Sequence, residues 1–190
     1  MLKLLSRIIQ MEIVAGFGAA LAAALIVPSS IERNHEQTQK DWYNEKIKER
    51  ISIAPPSIVF PIVWTILYIF MAAAIAIWAV KPEEELRSGV YIATWIMIVL
   101  NIIFNKIWTV LFFSFRDKQW SIGAAFADAL LIFLTALVIV ILFHVSSESN
   151  AWVFVLWYPY VLWSFFAFVL TTTIFEGRAE LQLGERSTEF

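Results

Sequence analysis

The chain has 190 residues, 60% of them hydrophobic and 16% charged, with a formal net charge of −2, and its mean hydropathy is +0.73. Soluble domains carry about a quarter charged residues and nucleic-acid binders a strong basic patch, so the composition argues against both, and no nucleic-acid partner is expected. With no cysteine and two widely separated histidines, His35 and His144, it offers no disulfide framework, no thiolate chemistry and no evident metal site, and no cofactor is expected.

Five long apolar stretches follow one another at residues 8–27, 59–80, 90–113, 122–145 and 151–175. About twenty residues at about 1.5 Å rise span about 30 Å, the thickness of the hydrocarbon core. The runs are continuous rather than alternating, which selects helices over barrel strands. The expected fold class is therefore all-α integral membrane, one domain over residues 1–190 built as a five-transmembrane-helix bundle in the lipid bilayer.

The first stretch, preceded by Lys3 and Arg7, is longer than a signal-peptide core and is interrupted by Glu12, so it reads as a retained helix. Gly16 with Ala20, and Gly18 with Ala22, give it a thin face that permits close helix contact. The connection at 28–58 is the longest. Within it Asp41 to Arg50 reads as a short amphipathic turn with Trp42, Tyr43 and Ile47 on its apolar side. Ala54-Pro55-Pro56-Ser57 then stops any helix and launches the next, since proline suits a first turn. The remaining loops are short and imply antiparallel neighbours. The tail at 176–190 is polar and reads as frayed. Basic residues gather in the long loop and the tail, including Lys40, Lys46, Lys48, Arg50, Arg178 and Arg186. The positive-inside rule then places that loop and the C-terminus on the cytosolic side.

Polar and aromatic groups recur on single faces inside the apolar runs. Asn101, Asn105 and Trp108 fall at i, i+4 and i+7; Trp64, Tyr68 and Met71 do likewise; Tyr160, Trp163, Ala167 and Thr171 form a third stripe. Trp64, Tyr68, Asn105, Trp108, Ala167 and Thr171 fall in the cytosolic half, beneath the long loop, with Asn101 and Trp163 near the middle. Three helices thus present aromatic and amide groups at similar depth. Flat aromatic walls with a few polar anchors suit a planar, largely apolar ligand. The same spacing equally serves helix packing, with Asn side chains bridging helices and Trp and Tyr at the interface. Lys106 and Asp128 stand almost equidistant from the turn near Asp117, which suggests a buried ion pair across that hairpin, the alternative being a Lys106 that reaches to the headgroups.

At these residues the sequence resembles the TspO/MBR family, the tryptophan-rich sensory or translocator proteins. Pro55-Pro56, Phe60, Val63-Trp64-Thr65 and Leu67-Tyr68 resemble its PP-x-x-x-F-x-x-VWT-x-LY signature. Trp42-Tyr43 is similar to the WY pair of its first loop. Asn105, Trp108 and Phe112-Phe113, followed by Arg116, match its N-x-x-W-x-x-x-FF segment, and Asp128 falls where a fourth-helix Asp is common. Pro159-Tyr160, Trp163 and Phe166-Ala167 match PY-x-x-W-x-x-FA. The matches run in order from residue 42 to 171. Departures fall mainly in the lid, where Arg50-Ile51-Ser52-Ile53 replaces the usual K-P-x-W and removes a tryptophan. Asn101 stands for a Gln, Ala72 for a Gly, Thr171 for an Asn, and Phe175 for the Tyr of a sterol-type motif.

The resemblance implies a five-helix bundle, often a homodimer, that binds porphyrin or haem-like molecules and, in some members, sterols. Its pocket would be lined by Trp64, Tyr68, Asn105, Trp108, Trp163 and Ala167, with Trp42 and Tyr43 at the lid; Asn101 and Tyr160 join the candidate site from the stripes above. The expected function is a membrane receptor or carrier that senses or handles a tetrapyrrole-like ligand. Alternatives are a light-dependent porphyrin-degrading enzyme using Trp64 and Trp163, or a sterol- or lipid-binding translocator. A prokaryotic plasma membrane is the expected location, with an organelle outer membrane as the alternative.

Overall fold

The computed structural model describes residues 43–48, 51–79, 89–114, 119–146 and 150–187. The expected first helix at 8–27, with its small-residue face, and Trp42 lie outside the described residues. The described chain begins with a π turn, Tyr43–Lys48, and continues into α1, Val59–Ala79. Then come α2, Gly89–Thr109, running on into a second π turn at Val110–Ser114; α3, Gln119–Val145; and α4, Ala151–Ser187. Four segments are long and apolar enough to cross a membrane: Val59–Ala79, Gly89–Phe112, Gly123–Val145 and Ala151–Glu176. The protein is thus a multi-pass, helical membrane protein. Among the described residues there is no strand, as hydrocarbon demands of a chain that must satisfy its own backbone polar groups without closing a barrel.

These helices are apolar all round, so burial rather than periodicity distinguishes their faces. On α1, Ile62, Ile66 and Ile69 face outward, whereas Leu67, Met71, Ala74, Ile75 and Trp78 are buried. On α3 the inward stripe is Ala125, Ala129 and Ala136, small residues that let neighbouring backbones approach closely. α3 packs on α2 and α4, and α4 packs on α1. Hydroxyls at membrane depth are satisfied within their own helices: Thr94, Thr109, Thr135, Thr171, Thr172 and Thr173 donate to carbonyls one turn back at 2.7 to 3.2 Å.

Two element ends differ from the sequence expectation. α2 ends at Thr109 and yields to the π turn, where an unbroken helix to 113 was expected. α4 runs to Ser187 rather than fraying after 175. Its extension, Arg178-Ala179-Glu180-Leu181-Gln182-Leu183, is made of strong helix formers and contains no proline. Polarity there marks departure from the bilayer, not from the helix. At its other end Asn150 caps α4, its Oδ1 accepting from the Trp152 amide at 3.0 Å.

The bundle has two unlike ends. At the end holding the C-terminus of α1, Trp78 stacks on Tyr91 with ring centres 5.0 Å apart. Phe143 touches both Trp78, at 5.4 Å, and Trp157, at 5.3 Å. Trp78, Phe143 and Trp157 are essentially fully buried. The two fully buried indoles there have partners: Trp78 Nε1 donates to Ser146 Oγ at 3.2 Å, and Trp157 Nε1 to the Ala136 carbonyl at 3.3 Å. The other end holds the candidate site.

Candidate functional site

A polar cluster at the centre of the bundle joins three helices. Asn101 Nδ2 donates to the Ile132 carbonyl at 3.0 Å and to Thr135 Oγ1 at 2.8 Å. Tyr160 Oη donates to Asn101 Oδ1 at 2.6 Å and accepts from Asn105 Nδ2 at 2.8 Å. Asn105 Nδ2 also reaches the Asn101 carbonyl at 2.7 Å. Asn101, Asn105 and Tyr160 are all buried. Their hydrogen bonds therefore clamp α2 to α3 and α4, the bridging role that amides take where water is absent.

Toward the pocket end from this clamp the aromatic stripes converge. Trp64 lies against Tyr68, Tyr160 and Trp163 at 5.3, 6.2 and 6.4 Å. Phe60, one turn before Trp64, packs on Trp163 at 6.1 Å and on Tyr43 at 5.3 Å. Across from them Phe112, carried by the second π turn, stacks on Trp108 at 4.8 Å and 15°. Tyr43, Phe60, Trp64, Trp108, Phe112, Ala167, Leu170 and Thr171 enclose about 320 Å³ of empty space, its mouth included. That figure includes open solvent, and the enclosed part has room for about one water. The pocket is shut in this conformation.

Of the expected site residues, Tyr43, Trp64, Trp108 and Ala167 meet at this cavity. Tyr68 and Trp163 stand behind Trp64 as its packing partners, while Asn101, Asn105 and Tyr160 belong to the clamp. Phe60, Phe112 and Leu170 line the cavity without having been singled out; they sit one turn from Trp64, Trp108 and Ala167, so extending each stripe by a turn finds them. Trp163 Nε1 is buried and makes no hydrogen bond among the described residues.

The described residues of the strap beside the cavity, 43–48 and 51–55, bond to one another. The Ile51 amide donates to the Ile47 carbonyl at 2.9 Å and the Ala54 amide to the Ile51 carbonyl at 3.0 Å. Tyr43 and Ile47, the apolar side expected of this turn, are buried. Tyr43 Oη donates to the Pro55 carbonyl at 3.0 Å, and burial pushes its phenol up to about 12.

The expected Lys106–Asp128 ion pair is not formed: no ion pair joins them among the described residues, and Asp128 Oδ2 is buried without a hydrogen bond. Helix register explains this. The Asn101 bond to Ile132 fixes how antiparallel α2 and α3 face each other, and one turn further on it sets Asp128 level with Asn105. Lys106, the next residue, points about 100° away around α2.

By comparison with known proteins, the TspO/MBR family profile covers residues 16–176. The chain belongs to the TspO/MBR family. Tryptophan-rich protein TspO of Bacillus cereus is 29% identical over 140 residues, covering 72% of this chain and 80% of that protein. The uncharacterized membrane protein YtaB of Bacillus subtilis is 29% identical over 136 residues, or 71% and 79% of the two chains. Tryptophan-rich protein TspO of Chlorobaculum tepidum is 27% identical over 137 residues, or 71% and 78%. Placement in the TspO/MBR family agrees with the multi-pass helical architecture.

Proposed function

We propose that this protein is a membrane receptor or carrier for a planar, largely apolar ligand of the tetrapyrrole class, bound in the cavity beneath the Tyr43 strap. The observation that carries the reading is the wall itself: five of its eight lining residues, Tyr43, Phe60, Trp64, Trp108 and Phe112, are aromatic. Such faces stack on a flat conjugated ring. The bare Trp163 Nε1 behind Trp64 adds a donor for an acceptor on the ligand, since a buried polar atom without a partner calls for one. The cavity must widen to admit a macrocycle, so binding is coupled to movement of the strap. On this reading the pocket end faces the cytosol of a bacterial plasma membrane, and a homodimer is the working assembly.

Protoporphyrin IX titrated into the detergent-purified protein tests the reading through quenching of Trp fluorescence. Saturable quenching that weakens in Trp64→Ala and Trp163→Phe is expected. Quenching that persists unchanged in both variants places the ligand elsewhere and defeats it. Illumination of the complex separates a receptor from a photochemical enzyme: a receptor returns its porphyrin unaltered, whereas an enzyme yields products that vanish in Trp64→Phe.

A further inference from the structure

Within the described membrane spans Asp128 is the only buried carboxyl, 5% exposed. Its Oδ2 accepts no hydrogen bond. Two bonds fix what it faces. Asn101 reaches the Ile132 carbonyl and Thr135 Oγ1, and Asp128 stands one turn before Ile132 and two turns before Thr135, on the same side of α3. It therefore looks toward α2, level with the turn from Asn105 to Trp108. The amide and hydroxyl donors around it are already committed. Asn105 Nδ2 gives its hydrogens to the Asn101 carbonyl at 2.7 Å and to Tyr160 Oη at 2.8 Å, and Tyr160 gives its own to Asn101 Oδ1. Thr109 donates to the Asn105 carbonyl, Ser164 to the Val161 carbonyl and Thr171 to the Ala167 carbonyl.

The elements packed on α3 supply no compensating charge. They are α2, α4 and the second π turn. α2 brings Lys106, turned about 100° from Asn105, and Tyr91 at its far end. α4 brings only Tyr158 and Tyr160 between Trp152 and Phe175, and the π turn brings nothing titratable. On α3 itself the other titratable group is His144, roughly 24 Å along the axis at the α-helical rise. A carboxylate buried with neither donor nor cation is among the costliest groups that a bilayer interior can hold. A proton on the carboxyl removes the charge and needs no further ligand.

We infer that Asp128 is a proton-binding site inside the bundle, kept occupied by the wall that Trp108 presents between it and the cavity. Trp108 belongs to the turn that faces Asp128, lines the cavity and stacks on Phe112. Displacing that wall admits water to the carboxyl, and water solvates the carboxylate and takes the proton away. Opening of the wall and loss of one proton thus occur together. The inference goes beyond the ligand reading, since it needs the wall and not the identity of what the cavity takes up.

Infrared difference spectra of the parent against Asp128→Asn, both in lipid vesicles at neutral pH, test it directly. The expected difference is one carbonyl stretch of a protonated carboxyl, displaced in deuterated water and lost in the variant. Loss of carboxylate bands instead shows an ionised Asp128 and overturns the site. Should Asp128→Asn fail to fold, Asp128→Glu makes the same assignment through a displaced band. Spectra with sodium replaced by choline exclude the other compact cation: an acid band seen only without sodium makes the site sodium's and overturns the proton. Trp108→Leu, which thins the wall without emptying it, is expected to convert most of the acid band into carboxylate. Ser146→Ala, at the opposite end, is expected to leave the band intact. A band unchanged in Trp108→Leu, or lost equally in both variants, overturns the role of the wall.

Discussion

The two ends of the bundle place the same residue type in unlike surroundings. At the closed end Trp78 and Trp157 are buried and each indole N–H has an acceptor. At the pocket end Trp64 and Trp163 are only partly buried, and the Trp163 N–H has none. Between them lies the Asn101–Asn105–Tyr160 clamp, whose polar groups hydrogen-bond one another and α3. A tryptophan count alone cannot separate these roles. Satisfaction of the one polar atom on each ring does separate them: Trp78 and Trp157 donate to acceptors in the bundle, and Trp163 has no acceptor among the described residues.

The sharpest way to break this contrast is to truncate one tryptophan at each end. Trp157→Ala is expected to lower stability by about 3–5 kcal/mol, the range for emptying a fully packed aromatic site, read as a large fall in detergent melting temperature. Trp64→Ala should fall well short of that while weakening porphyrin quenching; equal losses of stability would erase the distinction. Next in size is the clamp. Tyr160→Phe removes both hydrogen bonds that join α2 to α4 in the clamp, leaves Asn101 Oδ1 only the Asn105 Nδ2 contact at 3.3 Å, and should cost about 1–3 kcal/mol, whereas a melting temperature within error of the parent would show that the clamp does not bear on stability.

Trp163→Phe sharpens the comparison from the other side. It deletes an N–H with no partner, so the melting temperature should barely move, yet porphyrin affinity should drop up to about tenfold, equivalent to about 1.4 kcal/mol. The buried Tyr43 phenol adds a pH dependence. Its phenol titrates near 10 when exposed and is pushed up to about 12 in the closed strap. The folded state therefore holds the proton longer, and the stabilisation is complete below pH 10 and is lost as pH rises through 12. The melting-temperature advantage of the parent over Tyr43→Phe should accordingly shrink above pH 10, and an advantage that grows there would contradict the assignment. Smallest of all is the coupling between Lys106 and Asp128: a double-mutant cycle with Lys106→Met and Asp128→Asn should return less than about 0.5 kcal/mol, the level of independent sites.

The four described membrane spans were legible because about twenty apolar residues have few other uses. The stripes of Trp64, Trp108 and Ala167 were legible too, since helical spacing puts each on one face. Whether Asn105 and Tyr160 served a ligand or a neighbouring helix was not, because i, i+4 spacing fixes a face and says nothing of what stands opposite it. The Lys106–Asp128 pair failed for a related reason. Equal distance from a turn fixes depth along the axes, but a single residue of rotation, about 100°, decides whether two side chains meet. The π turn at Val110–Ser114 gave no signal in Val-Leu-Phe-Phe-Ser, whose apolar residues suit an α-helix equally well. It is nonetheless what carries Phe112 to the cavity.

The continuous run of α4 to Ser187 has a mechanical side. Pro159 lies inside this helix and leaves the Val155 carbonyl without its usual amide donor, which makes it the natural pivot. Leu170, on the cavity wall, is roughly 16 Å beyond that pivot and Ser187 roughly 42 Å beyond it at the α-helical rise. A tilt that shifts the wall by about 1 Å therefore sweeps the far tip through about 2.5 Å. The helix is a lever with its short arm in the pocket and its long arm outside the membrane, and a spin label at Ser187 would register motions of the wall too slight to detect at the wall itself.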